Sequence, residues 1–332
     1  MDLAEITALT EDEAREYFER VRWPDVPVCP HCGETKVGTV KGESARPGLY
    51  TCLTCMKQFT VTVNTILHGS HIPLRKWLLA FHLMTSSKKG VSALQLQRNL
   101  GLGSYRSAWH LAHRIRFAMT EGAFSKPLKG TVEVDETYVG GKPRKESKGG
   151  TEKPKSKRGR GTKKTPVLAL VERNGNVVSR PIVRVDAKTL KGAIKELVHS
   201  DSCIMTDEWA SYQGIGKEFV GGHKVVKHND GEFVKGNAST NTVESYFALL
   251  KRGVHGIFHH VSKHHFHRYC DEFSFRWNHR KVDDSERTVE AIKGIQGKRL
   301  TYKAVRSILG LGSRNRLDFN QDGRTVFSRG TL

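Results

Sequence analysis

An α/β fold, preceded by a small metal-knuckle module and a helical segment, is what the sequence predicts, and three observations carry it. Two CxxC pairs stand near the start, helical periodicity runs from residue 74 to 119, and beyond residue 131 short apolar, β-branched runs alternate with helical ones. The 332 residues can bury two or three separate cores, with one small and one larger domain as the starting expectation.

Charge narrows the partner. Lysine and arginine number 55 against 34 acidic residues, a formal +21 that opposes compact folding by self-repulsion unless a polyanion is the usual partner. Nucleic acid is the first candidate. An anionic membrane or a ribosome also suits a basic chain. However, no run of eighteen apolar residues occurs and the opening MDLAEITALTEDE is acidic, so neither a membrane span nor a secretory signal is expected. Of six cysteines, four form the CxxC pairs, while Cys203 and Cys270 are isolated. That pattern fits metal binding in a reducing compartment better than a disulfide framework. The expected location is cytoplasmic, in a prokaryotic cell, with the protein nucleoid-associated when bound.

Thr10 and Glu13 predict a capping box and a short helix to about Arg22, ended by Pro24. Residues 28–63 mix CxxC pairs, glycines and β-branched residues and predict a knuckle-and-strand module. PLRKWLLAFHLM then begins a helical region. Ser92 and Gln95 open a second helix that stops at Gly101, and a third starts at Ser104 with apolar residues at 108, 111, 112, 115 and 119. This is a helix-turn-helix outline.

From Thr131 the texture changes. TVEVD reads as a strand, PVLALVERNGNVVSRPIVRV as a hairpin turning at Asn174-Gly175, and AKTLKGAIKELV as a helix. SCIMTD follows as a buried strand, EWASYQGIGKEF as a helix, HKVVKH as a short strand and NTVESYFALLKRG as a helix. Three antiparallel strands and a helix, then strand, helix, strand, helix, is the order expected of an RNase H-like α/β fold. Residues 142–164 hold 11 basic residues and two acids, with almost nothing apolar, and predict a disordered basic insert. The expected domains are therefore 1–70, helix and zinc ribbon; 71–125, helix-turn-helix-like; 126–282, RNase H-like; and 283–332, a basic C-terminal tail.

Cys29, Cys32, Cys52 and Cys55 place nineteen residues between two CxxC knuckles, a spacing that lets four thiolates surround zinc. Four protein ligands leave no open position, so this Zn2+ is expected to be structural, with His31 a bystander. In the third helix, Arg106, His110, His113 and Arg114 share a polar side, as DNA contact by a recognition helix requires; a solvated basic face would look the same.

The chemistry is expected from Asp135, Asp207 and Glu244. Asp135 ends the strand TVEVD, where alternation puts Glu133 on the same face; Asp207 ends SCIMTD; and Glu244 lies near the start of a helix able to reach both. Carboxylates about 4 Å apart repel by roughly 4 kcal/mol at an effective dielectric of 20, so such a cluster calls for cations. Two Mg2+ or Mn2+ ions would compensate and would support in-line phosphoryl transfer. Lys251, seven residues past Glu244, projects from the same helix face and can hold a phosphate. Asn241 lies one turn earlier on that face, and an amide there is an alternative third ligand. VHGIFHHVSKHHFHR pairs His255 with His259, but Gly253 and Gly256 argue against a continuous helix, and DNA-backbone contact or packing is the expected role. In HFHRYCDEFSFRW the aromatic stripe reads as core.

RWPDVPVCPHCG, Cys52 to Cys55, VEVDETYVGGK, TDEWASY, NTVESYFALLKRG and YCDEFSFRWNHR occur in that order, and together the chain resembles the insertion-sequence transposases that join a zinc ribbon to an ISXO-like DDE domain. The likeness covers about residues 10 to 280. It implies that Asp135, Asp207 and Glu244 are the catalytic triad and Lys251 its following basic residue. Some members of that family carry asparagine as the third partner, which keeps Asn241 open. The implied activity is binding of terminal inverted repeats in double-stranded DNA, cleavage of the element ends and transfer of the 3′-hydroxyls into target DNA, by a homo-oligomer assembled on DNA. The basic insert after Gly141 is not inherited from the likeness. An RNase H-type structure-specific nuclease would share the triad without joining DNA. A zinc-ribbon and helix-turn-helix regulator would need none of the acids.

Overall fold

A computed structural model describes residues 1–42, 45–120, 127–140, 162, 164–226, 234–235 and 238–307. The insert expected over 142–164 lies outside the described residues except for 162 and 164. Contacts divide the chain into two units, Met1–Arg299 and Leu300–Leu332. In the second unit the helix Tyr302–Ser307 is described.

Two short helices open the first unit, α1 (Leu3–Ala8) and α2 (Glu11–Arg22). The Thr10 box forms as expected: the Thr10 hydroxyl accepts from the Glu13 amide at 3.3 Å, and the Glu13 carboxylate accepts from the Thr10 amide at 2.7 Å. Asp2 and Glu5 make the same motif at α1, which the sequence reading passed over. Three short strands follow, β1 (Val37–Thr39), β2 (Tyr50–Cys52) and β3 (Gln58–Phe59), as an antiparallel sheet in that order. The helices α3 (Leu74–Ser86), α4 (Ala93–Asn99) and α5 (Tyr105–Ala118) come next, the last two capped by Ser92 and Ser104. Gly101 takes the left-handed φ of 56° that the turn from α4 requires.

The α/β portion is a five-stranded mixed sheet. Its strands are β4 (Thr131–Val139), β5 (Thr165–Glu172), β6 (Val177–Pro181), β7 (Cys203–Asp207) and β8 (His223–Val226). They lie side by side in the order β6-β5-β4-β7-β8, with the first three antiparallel and β4, β7 and β8 parallel. The β5–β6 turn uses Asn174 in the left-handed region. A Cβ on Gly175 would lie 2.6 Å from the Glu172 carboxyl group, the far end of a flexible side chain that can swing aside.

Strand alternation separates the sheet's two faces. Val132, Val134, Leu168, Leu170 and Ile204 pack on α6 (Ala187–Leu197). Val139, Val167, Ala169 and Val171 pack on α7 (Asn241–Gly253) and α8 (Phe266–Asn278). Glu133 and Asp135 share strand parity with Val139 and so face α7.

Three expectations need correction. EWASYQGIGKEF is two 3-10 turns, Ala210–Tyr212 and Ile215–Glu218, because Gly214 between them takes φ 80° and breaks any α-helix. The strand TVEVD runs on to Val139, so Asp135 lies within it and not at its tip. The stretch from 283 begins as a helix, α9 (Asp284–Lys293), and not as a tail. Its Ala291 and Ile292, with Ile295 beyond, are buried in one cluster with Phe18, Trp77, Phe81, Leu111 and Ile115. Among the described residues no helix is long and apolar enough to cross a membrane.

Candidate active site and cysteine cluster

Each CxxC pair is shaped by the residue after it. Gly33 and Met56 both adopt left-handed φ, 84° and 56°, and their amides donate back to the carbonyls of Cys29 and Cys52, each at 2.9 Å. Two like knuckles thus face each other. The sulfurs of Cys29 and Cys55 lie 3.7 Å apart, those of Cys32 and Cys52 3.5 Å apart, and the four ligand atoms all fall within 4.8 Å of one another. Zinc–sulfur bonds of about 2.3 Å in a tetrahedron put sulfurs about 3.8 Å apart, so the donor set fits zinc. Without a metal the two facing thiols divide the charge between them: the Cys55 amide, then that of Thr54, holds the Cys52 thiol down, while contact with the other cysteine sulfurs pushes Cys32 up.

The carboxylates are placed by strand register. Strand β4 pairs with β7 from Thr131–Cys203 to Glu133–Met205, so Asp135 and Asp207 each stand two residues beyond the last pair. They therefore sit at one level on neighbouring parallel strands, which run about 4.8 Å apart, with their side chains on the same face. Helix α7 lies over that face and carries Glu244 in its first turn. Asp135 records the crowding. Burial first, then the charges of Glu136, Asp207 and Glu244, push its carboxyl up to about 7. Its Oδ1 accepts from the Glu136 amide at 2.7 Å, and Asp207 accepts from the Trp209 amide at 3.1 Å. Among the described residues the four cysteines are the metal-type group that closes to within 4.8 Å; the three carboxylates stand wider. Their hard oxygen donors, and a charge excess that already favours a proton on Asp135, fit a divalent cation such as magnesium.

Lys251 lies half-buried on α7, about 10 Å farther along the axis than Glu244. Asn241 is the exposed first residue of the same helix. Residues the sequence reading left aside complete the surroundings. Tyr212 donates to Glu136 at 2.8 Å. Glu133, fully buried, accepts from the Thr242 amide at 2.8 Å, the Val243 amide at 3.1 Å, the Thr242 hydroxyl at 2.9 Å and Arg173 Nε at 2.7 Å. A signal was present in TVEVD, where Glu133 shares the face of Asp135, but it read as one more acid among several.

The polar side of α5 divides. Arg106 is exposed in the first turn and His110 half-buried, whereas His113 is buried against Trp109 and His265. Arg114, expected to face DNA, is buried instead: it donates to the His68 carbonyl at 2.7 Å and stacks over Trp77. Its long stem and planar head suit that apolar pocket, and the segment 68–77 supplies both the ring and the acceptor.

With this geometry in place, comparison with known proteins is specific. Residues 127–278 match the ISXO2-like transposase domain, and residues 9–58 match the transposase zinc-ribbon domain. A protein in transposable element ISH50 of Halobacterium salinarum is 29% identical over 255 residues, which cover 74% of this chain and 84% of that protein. No solved structure matches.

Proposed function

From the matches to the ISXO2-like transposase domain and the transposase zinc-ribbon domain, we propose that the chain is a transposase of that kind, which binds the terminal inverted repeats of an element, cuts the element ends and joins the freed 3′-hydroxyls to target DNA. One observation carries the catalytic part: Asp135 and Asp207 stand at one level on adjacent parallel strands under the first turn of α7, where Glu244 projects. The sheet order β6-β5-β4-β7-β8, with three antiparallel strands and two parallel ones, supports an RNase H-like reading of the domain.

Asp135, Asp207 and Glu244 would hold two magnesium or manganese ions. When bound, such ions activate the attacking oxygen and stabilise the leaving oxygen of phosphoryl transfer. The carboxylates themselves act as fixed anionic donors, and the proton that Asp135 retains up to about pH 7 must leave before it ligates. Lys251, on the same helix as Glu244, holds a phosphate of the bound strand. Arg106 and His110 remain the candidates on α5 for DNA contact. The four cysteines hold a structural zinc.

The test uses purified protein, labelled repeat ends and a plasmid target, with cut ends and joined products scored separately. Asp135→Asn, Asp207→Asn and Glu244→Gln are each expected to lower both products by at least about 1,000-fold while repeat binding persists. Asn241→Ala is expected to remain active. Robust joining by Asp135→Asn protein would refute the assignment. An inactive Asn241→Ala beside an active Glu244→Gln would move the third ligand to Asn241, and cutting without joining by the unmodified protein would identify a nuclease.

A further inference from the structure

Helix α7, like α3 and α8, takes no side-chain cap from the residue before it. In α1, α2, α4, α5, α6 and α9 the residue just before the helix accepts from a first-turn amide. Thr240, in the same position of α7, makes no such bond, and its hydroxyl donates to Glu244 at 3.4 Å. The amides of Thr242 and Val243 are satisfied from another element, by the Glu133 carboxylate of β4. A carboxylate at a helix N-terminus is favourable electrostatically, but a fully buried one is costly unless paired. Arg173 supplies the pairing. Its other arm holds the carbonyl and hydroxyl of Ser239, at 3.2 and 2.6 Å, just ahead of the helix. Glu133 and Arg173 therefore grip the entry to α7 on both sides.

The consequence lies in spacing. Along β4, Asp135 follows Glu133 by two residues, about 6.8 Å on the same face. Along α7, Glu244 follows the clamped Val243 directly. Two of the proposed metal ligands are thus measured from one anchor. A helix start held only by its own local bonds can fray and shift by a fraction of a turn, whereas one bonded into the strand that carries Asp135 cannot move independently of it.

We infer that Glu133 is a positioning residue, whose carboxylate clamps the first turn of α7 to β4 and so fixes Glu244 relative to Asp135 and Asp207. This rests on the catalytic reading given above. Charge alone is not the device; reach is, because the carboxylate must span from the strand to two amides and a hydroxyl at once.

Glu133→Asp tests reach directly, since it keeps the charge and draws the carboxylate back by one carbon–carbon bond, about 1.5 Å. Two readouts are made: hydrogen exchange over residues 240–246, without DNA or metal, and single-turnover cutting of saturating repeat DNA at a series of magnesium concentrations. Faster exchange over 240–246, cutting slowed about 100-fold, a raised magnesium requirement and unchanged DNA affinity are expected together, because a displacement of about 1 Å at reacting groups costs that much. If Glu133→Asp does not fold, Glu133→Gln carries the test. It keeps the length and one acceptor oxygen, so exchange should rise less and cutting should slow by only about tenfold. Unmodified exchange over 240–246 in the folded variant would show that no clamp exists. Faster exchange with cutting at the unmodified rate would overturn the positioning role and leave the catalytic reading standing. Asp135→Asn is run beside it; if that variant also cuts at full rate, the catalytic reading fails and the positioning role falls with it.

Discussion

Asp135 links the fold's stability to acidity in the absence of metal. Its carboxyl is raised from an ordinary 3.8 to about 7, by burial and then by Glu136, Asp207 and Glu244. The folded state therefore holds this proton more tightly than the unfolded chain does. The stability it contributes is complete below about pH 4 and is lost as the pH rises through 7, a loss of at most roughly 4 kcal/mol. Metal-free protein should melt at a progressively lower temperature from pH 5 to pH 8 relative to Asp135→Asn, which has no proton to lose. Magnesium at pH 8 should restore the unmodified protein and leave the variant unmoved. Melting curves that stay parallel across this range would show that the crowding is not felt by Asp135. Which elements carry Asp135, Asp207 and Glu244 was legible in the sequence, because strand parity and helix phase are local properties. The role of Glu133 was not, since its partners lie 40 and 109 residues away. Arg114 failed for the same reason: a helical wheel shows which side it occupies, but not the His68 carbonyl 46 residues earlier.

Most elements followed from local pattern. Ser92, Ser104 and the Thr10 box start the helices they were expected to start, and the hairpin turns where Asn174 was placed. Glycine was the unreliable punctuation, because it serves either backbone freedom or close packing and the sequence does not say which. Gly214 breaks a helix, whereas Gly253, expected to interrupt one, has helical φ of −67° and leads α7 directly into a π-helical turn, Val254–Phe258. Gly253 is needed for space. A Cβ there would meet the Phe273 ring at 2.1 Å and the Lys89 carbonyl at 2.9 Å, and the second of these is backbone that cannot rotate away. Gly253→Ala should thus destabilise the protein by about 1–3 kcal/mol, the usual cost of overpacking. Gly256→Ala, with nothing within 4 Å of the added carbon, should change stability by less than about 0.5 kcal/mol. Denaturant midpoints of the two variants decide it; equal midpoints would mean that the loop at Lys89 yields freely.

At the scale of the molecule, the net charge of +21 and the two matched domains point to the same polyanionic partner, but the internal boundaries are less sharp than the sequence suggested. Cys29 and Cys52 are buried in one cluster with Phe18 of α2, Trp77 and Phe81 of α3 and Ile292 of α9, and Trp23 packs edge-on against Tyr50 and Phe59 of the small sheet. The cores on either face of the five-stranded sheet are separate from it. Structural zinc in small modules contributes apparent free energies on the order of 10 kcal/mol. Its loss should therefore propagate through the shared cluster and stop at the sheet. Removing zinc with a chelator, or replacing two ligands as in Cys29→Ser/Cys52→Ser, should raise hydrogen exchange in α2, α3 and α9 as well as in the knuckles, while β4, β5 and β7 keep their protection. Because α9 lies more than 200 residues from the cysteines in sequence, its exchange separates the alternatives: a rise there requires a common core, and a rise confined to residues 28–60 would make the ribbon an independent module.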